Sequence, residues 1–137
     1  MNLEIKIKEG LGDIKFNMPV EEVISILGEA SDVESIDNAA DESTTVLHYT
    51  NDGLTLFFEG ENPILSCIDI SNSDCTLFDK KIFNMNEKEI ARLLIDNKYY
   101  EQDMENEAWG ERRITFIEGN IDFFFDNNEL VSIQFGE

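Results

Sequence analysis

A window that covers nearly half of this chain lacks Lys and Arg. Between Phe16 and Asp79 it has no Lys or Arg and a single His, while fourteen Asp and Glu residues fall in the same window. All ten basic residues lie outside that window, and the formal net charge of the chain is −20. Nucleic acids and anionic membranes are bound through Lys and Arg side chains that neutralise phosphate. The composition therefore argues against both classes of partner.

Cysteine and long apolar runs are also scarce. Cys67 and Cys75 are the only two cysteines, and their spacing fits neither a metal site nor a redox motif, so we expect two reduced thiols. No apolar run approaches the length of a membrane span. Residues 1–8 alternate apolar and polar side chains like an edge strand, without the apolar core of a signal peptide. We therefore expect a cytoplasmic protein.

The chain has enough apolar residues for a folded core, and its net charge is strongly negative. Hydrophobic residues make up 42% of its 137 residues, including ten Phe, so we predict a globular protein rather than a disordered chain. A surface of one charge repels itself, but it also steers an oppositely charged partner toward it. The composition predicts recognition of a basic partner.

The strongest pattern along the chain is an internal repeat. Residues 16–27 align without gaps on residues 83–94, an offset of 67 (83 − 16), with five of the twelve positions identical. The same offset places the alternating segment 54–59 on 121–126. Pro19 and Asn86 stand where each first segment takes up helical periodicity, as residues that open helices do. Helix and strands thus recur in the same order.

These observations predict an α+β fold made of two tandem α-β-β-β pseudo-repeats, with helices packed on an antiparallel sheet. We expect a single domain, 1–137, with pseudo-repeat 1 at about 10–71 and pseudo-repeat 2 at about 77–137. Residues 30–43 have no periodicity and are interpreted as a long exposed loop.

One feature of the repeat bears on function. Strand alternation points Phe57 and the equivalent Phe124 to the face opposite the core, on the same side as Leu65, Cys67 and Leu130. An apolar surface on that face is covered either within the chain, which we favour, or by another protein.

The repeated motif resembles a known family. The pattern F-x-M-x-x-E-E-V-x-x-I-L-G of residues 16–28, followed by a β-hairpin and doubled, resembles the tandem-repeat fold of the β-lactamase inhibitory proteins and of related small outer-membrane lipoproteins. Small acidic cytosolic proteins of this kind also resemble bacterial immunity proteins of toxin–immunity and contact-dependent growth inhibition systems. The resemblance implies a protein that binds and blocks another protein rather than one that catalyses a reaction.

Patterns that carry catalysis or metal binding are few. His48, the only histidine, lies in a predicted strand between apolar neighbours, which is typical of a structural histidine. Residues 32–42 are acidic but lack the ligand order and central Gly of a calcium loop. We therefore expect no enzyme activity, no metal and no cofactor, and a small hydrolase that uses His48 is the least favoured class.

Two acidic segments are the candidate binding surfaces. Residues 96–111 combine carboxylates with three aromatic side chains, a composition suited to pairing with Lys and Arg of a partner and to anchoring it. The predicted contacts in this segment are Tyr99, Tyr100, Glu101, Asp103, Glu105 and Trp109, and those in the first loop are Asp37, Asp41 and Glu42. For Tyr99 and Trp109, packing against the second helix is the alternative.

The sequence thus predicts a cytoplasmic, acidic, protein-binding inhibitor. Its preferred form is an immunity protein that blocks the basic active-site cleft of a cognate nuclease toxin, with carboxylates in the place of phosphates. The alternative is a general adaptor or chaperone-like binding module.

Overall fold

The structure is a computed structural model that describes residues 2–37, 43–106 and 110–137. It is mostly β: strands account for 50% of the described residues and form two sheets, of five and eight strands, and the two described helices are short. The predicted α+β class is therefore wrong. Part of the difference is a strand, Asp32–Asp37, inside the segment interpreted as a loop. A second such strand is Gln102–Asn106, in the segment interpreted as a binding surface, and the rest comes from two-residue strands that give no periodic signal.

The elements follow one another along the chain. The helices are α1 (Val20–Leu27) and α2 (Glu87–Asp96). In chain order the strands are β1 (Glu4–Lys6), β2 (Gly10–Leu11), β3 (Ile14–Lys15), β4 (Asp32–Asp37), β5 (Ser43–Tyr49), β6 (Leu54–Glu59), β7 (Ile64–Ile70), β8 (Thr76–Leu77), β9 (Lys80–Lys81), β10 (Gln102–Asn106), β11 (Glu111–Phe116), β12 (Ile121–Asp126) and β13 (Glu129–Gly136).

The smaller sheet has the order β3-β2-β1-β8-β9. Its neighbours are antiparallel except β1 and β8, which pair in parallel. The N-terminal segment was predicted to be an edge strand, and this is wrong, because β8 hydrogen-bonds to the edge of β1 that its hairpin leaves free.

The larger sheet has the order β10-β11-β12-β13-β7-β6-β5-β4, with every neighbouring pair antiparallel. Its two halves mirror each other in sequence order about the central pair of β7 and β13. Each half consists of four strands after a helix, one strand more than the predicted α-β-β-β unit.

Local irregularities recur at equivalent places in the two halves. A register shift lies between Phe57 and Phe58 in one half and between Phe124 and Phe125 in the other. A single bridge joins the start of each helix to the strand of its own half, Pro19 to Ile64 and Asn86 to Glu129. At the centre Asp69 pairs with Gln134, flanked on either side by pairs between apolar residues. The halves are thus related by an approximate two-fold axis through that central pair.

Each helix begins at the residue type that the sequence indicated. Pro19 precedes α1 in an extended conformation, and Gly28 follows it with a φ of 87°. At α2 the Asn86 side chain accepts from the Glu89 backbone N–H at 2.9 Å, and the Glu89 carboxylate accepts from the Asn86 N–H at 3.1 Å. This reciprocal capping box satisfies two N–H groups that a helix start leaves free.

The core lies on one face of the larger sheet. Both helices and the smaller sheet pack there in a single apolar cluster, whose largest fully buried side chains include Phe58, Phe116, Phe123 and Phe135. Phe57 and Phe124 lie outside this cluster and are half-buried.

A β-bulge corrects the face predicted for two leucines. Because β7 has an extra residue, Ser66, opposite the junction of Phe57 and Phe58, Leu65 pairs with Phe58 and turns into the core, where it is 1% exposed. Leu130 does the same in the second half. The prediction that these leucines share a face with Phe57 and Phe124 is therefore wrong.

Candidate functional site

The side of the larger sheet opposite the core is the candidate site, and we call it the open face. One row of directly paired residues crosses all eight strands, and paired residues share a face. In order across the sheet the row is Asp32, His48, Thr55, Asp69, Gln134, Asp122, Thr115 and Asp103. Every member is half-buried or exposed. The row marks a surface that both halves contribute to equally.

Two aromatic rings belong to the open face. Phe57 pairs with Val46 on one side and Cys67 on the other, and Phe124 occupies the equivalent place in the second half. Val46 is only 3% exposed although it stands outside the core cluster. The open face therefore has apolar area of its own. A groove of about 380 Å³ beside Phe124 reaches to Ser132 and Val131.

Carboxylates dominate the rest of this surface. By strand register the acids of the open face are Asp32, Glu34, Glu59, Asp69, Asp103, Glu105, Glu111, Asp122, Asp126 and Glu129. Among its described residues Arg113 is the one Lys or Arg. Acid and aromatic side chains therefore share one continuous surface.

The centre of the open face holds a carboxylate in an unfavourable setting. Asp69 is half-buried, and removal from solvent raises the pKa of its carboxyl above the ordinary value. Gln134, its pairing partner, donates from Nε2 to the Cys67 thiol at 3.5 Å. Burial also raises the pKa of that thiol, and the nearby charges of Asp69 and Asp122 add to the effect. None of the described residues gives the Asp69 carboxylate a side-chain hydrogen bond.

We expect Asp69→Asn to stabilise the isolated protein near pH 7. A carboxyl whose pKa is raised by folding contributes stability only while it is protonated, below its unfolded pKa, and this contribution is lost as the pH rises through the folded pKa. At neutral pH the charged form is a cost, and Asn removes it, with a gain below about 1 kcal/mol because the group is partly exposed and screened. Urea unfolding at pH 7 and pH 3 measures the difference, which should vanish at pH 3. A loss of stability at pH 7 would contradict it.

In the second half of the open face one cation contacts several acids. The Arg113 guanidinium lies 2.6 Å from Glu105, 3.7 Å from Asp103 and 3.7 Å from Asp122, and it also contacts Thr115. The Glu105 hydrogen bond raises the pKa of Arg113, with the three carboxylates together favouring its charged form.

The first half has no arginine at the equivalent place. Val46 occupies it, because residue 46 plus the offset of 67 is residue 113. Here the acid–base contact is between His48 Nε2 and Glu34 Oε1, 2.5 Å apart. The two halves of the open face therefore share a frame but differ in internal charge balance.

Three of the predicted contact residues lie at or beside this surface. Asp103 and Glu105 are exposed residues of β10 and belong to the open face. Glu101 is exposed just before that strand, where its carbonyl accepts from the Ile117 N–H at 3.0 Å.

The two predicted tyrosines have different surroundings. The Tyr99 ring packs on Phe78, with centroids 6.1 Å apart, and against the core cluster. Tyr100 is 60% exposed. Its backbone N–H and that of Glu101 both donate to Glu118 Oε1, at 2.8 and 3.0 Å, and these bonds lower the pKa of Glu118.

The remaining predicted contacts cannot be compared with the open face. Asp37 ends β4, and its side chain is outside the described part. Asp41, Glu42 and Trp109 lie outside the described residues altogether.

Sequence reasoning missed most of the open face, above all Asp32, Glu34, Asp69 and Asp122. A signal was present for two of them, because Asp69 and Asp122 each lie between two buried apolar residues of a strand. What it lacked was the strand pairing that joins them.

Comparisons with known proteins add no assignment. No protein-family model matches the chain, and neither the curated proteins nor the solved structures include a similar one. Within residues 2–37, 43–106 and 110–137, no three His, Cys, Asp or Glu side chains come together in a way that would hold a metal ion. No described helix is long and apolar enough to cross a membrane.

Proposed function

We propose that this protein is an inhibitor that binds a basic protein through the open face, and that it acts as an immunity protein against a nuclease toxin. The observation that supports the proposal is the combination on one surface of many carboxylates with two half-buried phenylalanines. Eight strands about 4.8 Å apart make the face about 34 Å wide, which suits a specific interface of about 800 Å² per partner.

The chemistry of the open face suits a nuclease cleft. Such a cleft carries Lys and Arg to bind phosphates, and carboxylates can pair with the same groups. Exposed acids such as Asp32 and Glu111 steer the encounter, while Phe57 and Phe124 supply apolar contact of the kind that slows dissociation. The half-buried Asp69 is costly in the free protein, and a cation of the partner would offset that cost.

The proposal includes no catalytic step and no cofactor. His48, the residue that a hydrolase would need, contacts Glu34 within the open face. The proposal assigns the protein to the cytoplasm, where its two free thiols, Cys67 and Cys75, would stay reduced.

The test begins with the product of the gene immediately upstream. We expect it to contain a nuclease domain with a basic cleft, whose toxicity is suppressed by co-expression of this protein and whose activity is blocked in vitro at a one-to-one ratio. Protection should fail with Asp69→Lys and persist with Glu61→Lys, a turn acid outside the open face.

Two results would contradict the proposal. One is an upstream product that is not toxic, or whose toxicity this protein leaves unchanged. The other is equal binding of many unrelated basic proteins, which would favour the adaptor alternative.

A further inference from the structure

We propose that the first half of the open face binds an arginine side chain of the partner; this inference rests on the proposed binding function and names the group recognised. We define the arginine site by Val46, Glu34, Asp32 and Phe57. The evidence is the second half of the same sheet, which holds a guanidinium of the chain itself at the equivalent place.

The second half shows what this arrangement of edge-strand acids and an aromatic residue, which we call the frame, binds. Arg113 is paired across the strands with Glu105 on one side and Phe124 on the other. Its Nη2 lies 2.6 Å from Glu105 and 3.7 Å from Asp103, the next acid along β10. Two carboxylates of the edge strand thus contact the guanidinium, together with Asp122 and Thr115.

The first half keeps part of the frame but has no arginine in it. Val46 is paired with Glu34 on one side and Phe57 on the other, as Arg113 is with Glu105 and an aromatic ring. Asp32 stands two residues before Glu34, as Asp103 does before Glu105. The two edge-strand acids and the ring are retained. Thr55 and His48 stand in the places of Asp122 and Thr115, and the arginine is replaced by a valine too short to reach the carboxylates.

His48 does not take the whole of this place. It stands at the position equivalent to Thr115 and touches one oxygen of Glu34, Oε1. Asp32 is exposed, and its Oδ1 accepts only from the neighbouring Val33 N–H, at 2.9 Å, among the bonds of the described residues. Acceptors of both acids therefore remain toward solvent.

The frame favours arginine over lysine. A guanidinium is planar, binds two carboxylate oxygens at once and stacks on an aromatic face, whereas an ammonium is a strongly hydrated point charge. The half-buried Phe57 ring supplies apolar surface for such a plane.

The experiment titrates the full chain with N-acetyl-arginine amide, followed by backbone amide shifts in NMR at near-physiological salt. We expect saturable shifts centred on Glu34, Val46 and Phe57, weaker ones with N-acetyl-lysine amide, and about a fivefold loss of affinity in Glu34→Gln, the size of an exposed ion pair. The matched control Glu61→Gln, an exposed turn acid outside the open face, should leave the affinity unchanged.

Two exchange variants test the symmetry argument directly. Arg113→Val should open a second site and change the stoichiometry from one to two. Val46→Arg should fill the first site from within and abolish saturable binding. If one variant fails to fold, the other and Glu34→Gln still decide. Diffuse shifts over all acidic surfaces, or equal binding of the arginine and lysine probes, would overturn the inference.

The outcomes separate this inference from the proposed function. If the arginine probe fails while nuclease inhibition still depends on Asp69, only the arginine site is contradicted. If the probe binds as expected while inhibition does not depend on the open face, the site stands as an arginine-binding site and the proposed function is contradicted.

Discussion

Phe123→Ala is expected to destabilise the protein by about 3–5 kcal/mol, the cost of emptying a large buried aromatic position. Phe123 is 0% exposed, and its ring meets Phe116 edge to face at a centroid distance of 5.8 Å. Since whole domains are stable by only about 5–15 kcal/mol, this single change should leave a large unfolded fraction or a strongly lowered urea midpoint.

The neighbouring residue is the matched control. Phe124→Ala removes the same side chain from the next position of β12, but on the open face, where the ring is half-buried and outside the core cluster. We expect it to cost under about 1 kcal/mol, as partly exposed positions away from buried networks do. Equal losses for the two variants would mean that another element covers the open face within the chain. The pair Phe58 and Phe57 repeats the comparison in the first half.

The sequence predicted the frame of each half because those signals are local. Pro19 and Asn86 begin helices where their backbone preferences place them, and the strands expected at 54–59 and 121–126 are β6 and β12 with those bounds. Fully buried and partly exposed residues alternate along these strands because one side faces the core and the other does not.

The edge strands gave no such signal. β4 has a valine that is 57% exposed on the core side and an isoleucine on the open face, so its two sides do not differ enough to produce alternation. The strands of the smaller sheet depend on a parallel contact between residues about seventy positions apart. Local reasoning therefore overestimated the share of helix and loop and gave the wrong fold class.

The candidate site depends on the same long-range pairing. Asp69 and Gln134 meet only because the two halves join edge to edge. No local sequence pattern indicates that β7 pairs with β13. The sequence did single out Phe57 and Phe124 as apolar residues on the face opposite the core. It could not choose which of the thirty acids accompany them, because that choice is made by strand register.

The second large effect concerns association with the proposed nuclease partner. Glu34→Lys combined with Glu111→Lys should slow association about tenfold or more at low salt, because two carboxylates of the open face that attract the basic cleft become repulsive. The rate should also depend less on salt, since exposed charges are screened beyond about 8–10 Å at physiological ionic strength. Stopped-flow association at several salt concentrations measures both.

The matched control changes the net charge by the same amount elsewhere. Asp13 and Glu61 are exposed acids in turns outside the open face, and Asp13→Lys with Glu61→Lys gives the same total charge. If steering comes from the open face, this control keeps most of the wild-type rate. If both double variants slow association equally, only the net charge matters, and the result contradicts the open face as the binding surface.

Dissociation supplies the complementary evidence. Phe57→Ala should leave the association rate nearly unchanged and speed dissociation by about thirtyfold, equivalent to about 2 kcal/mol for a buried aromatic contact. The residue is already half-buried and outside the core, so this loss would not come from unfolding. If the carboxylate variant changes the association rate and Phe57→Ala changes the dissociation rate, both results locate the partner on the open face. An unchanged dissociation rate would place the contact away from Phe57.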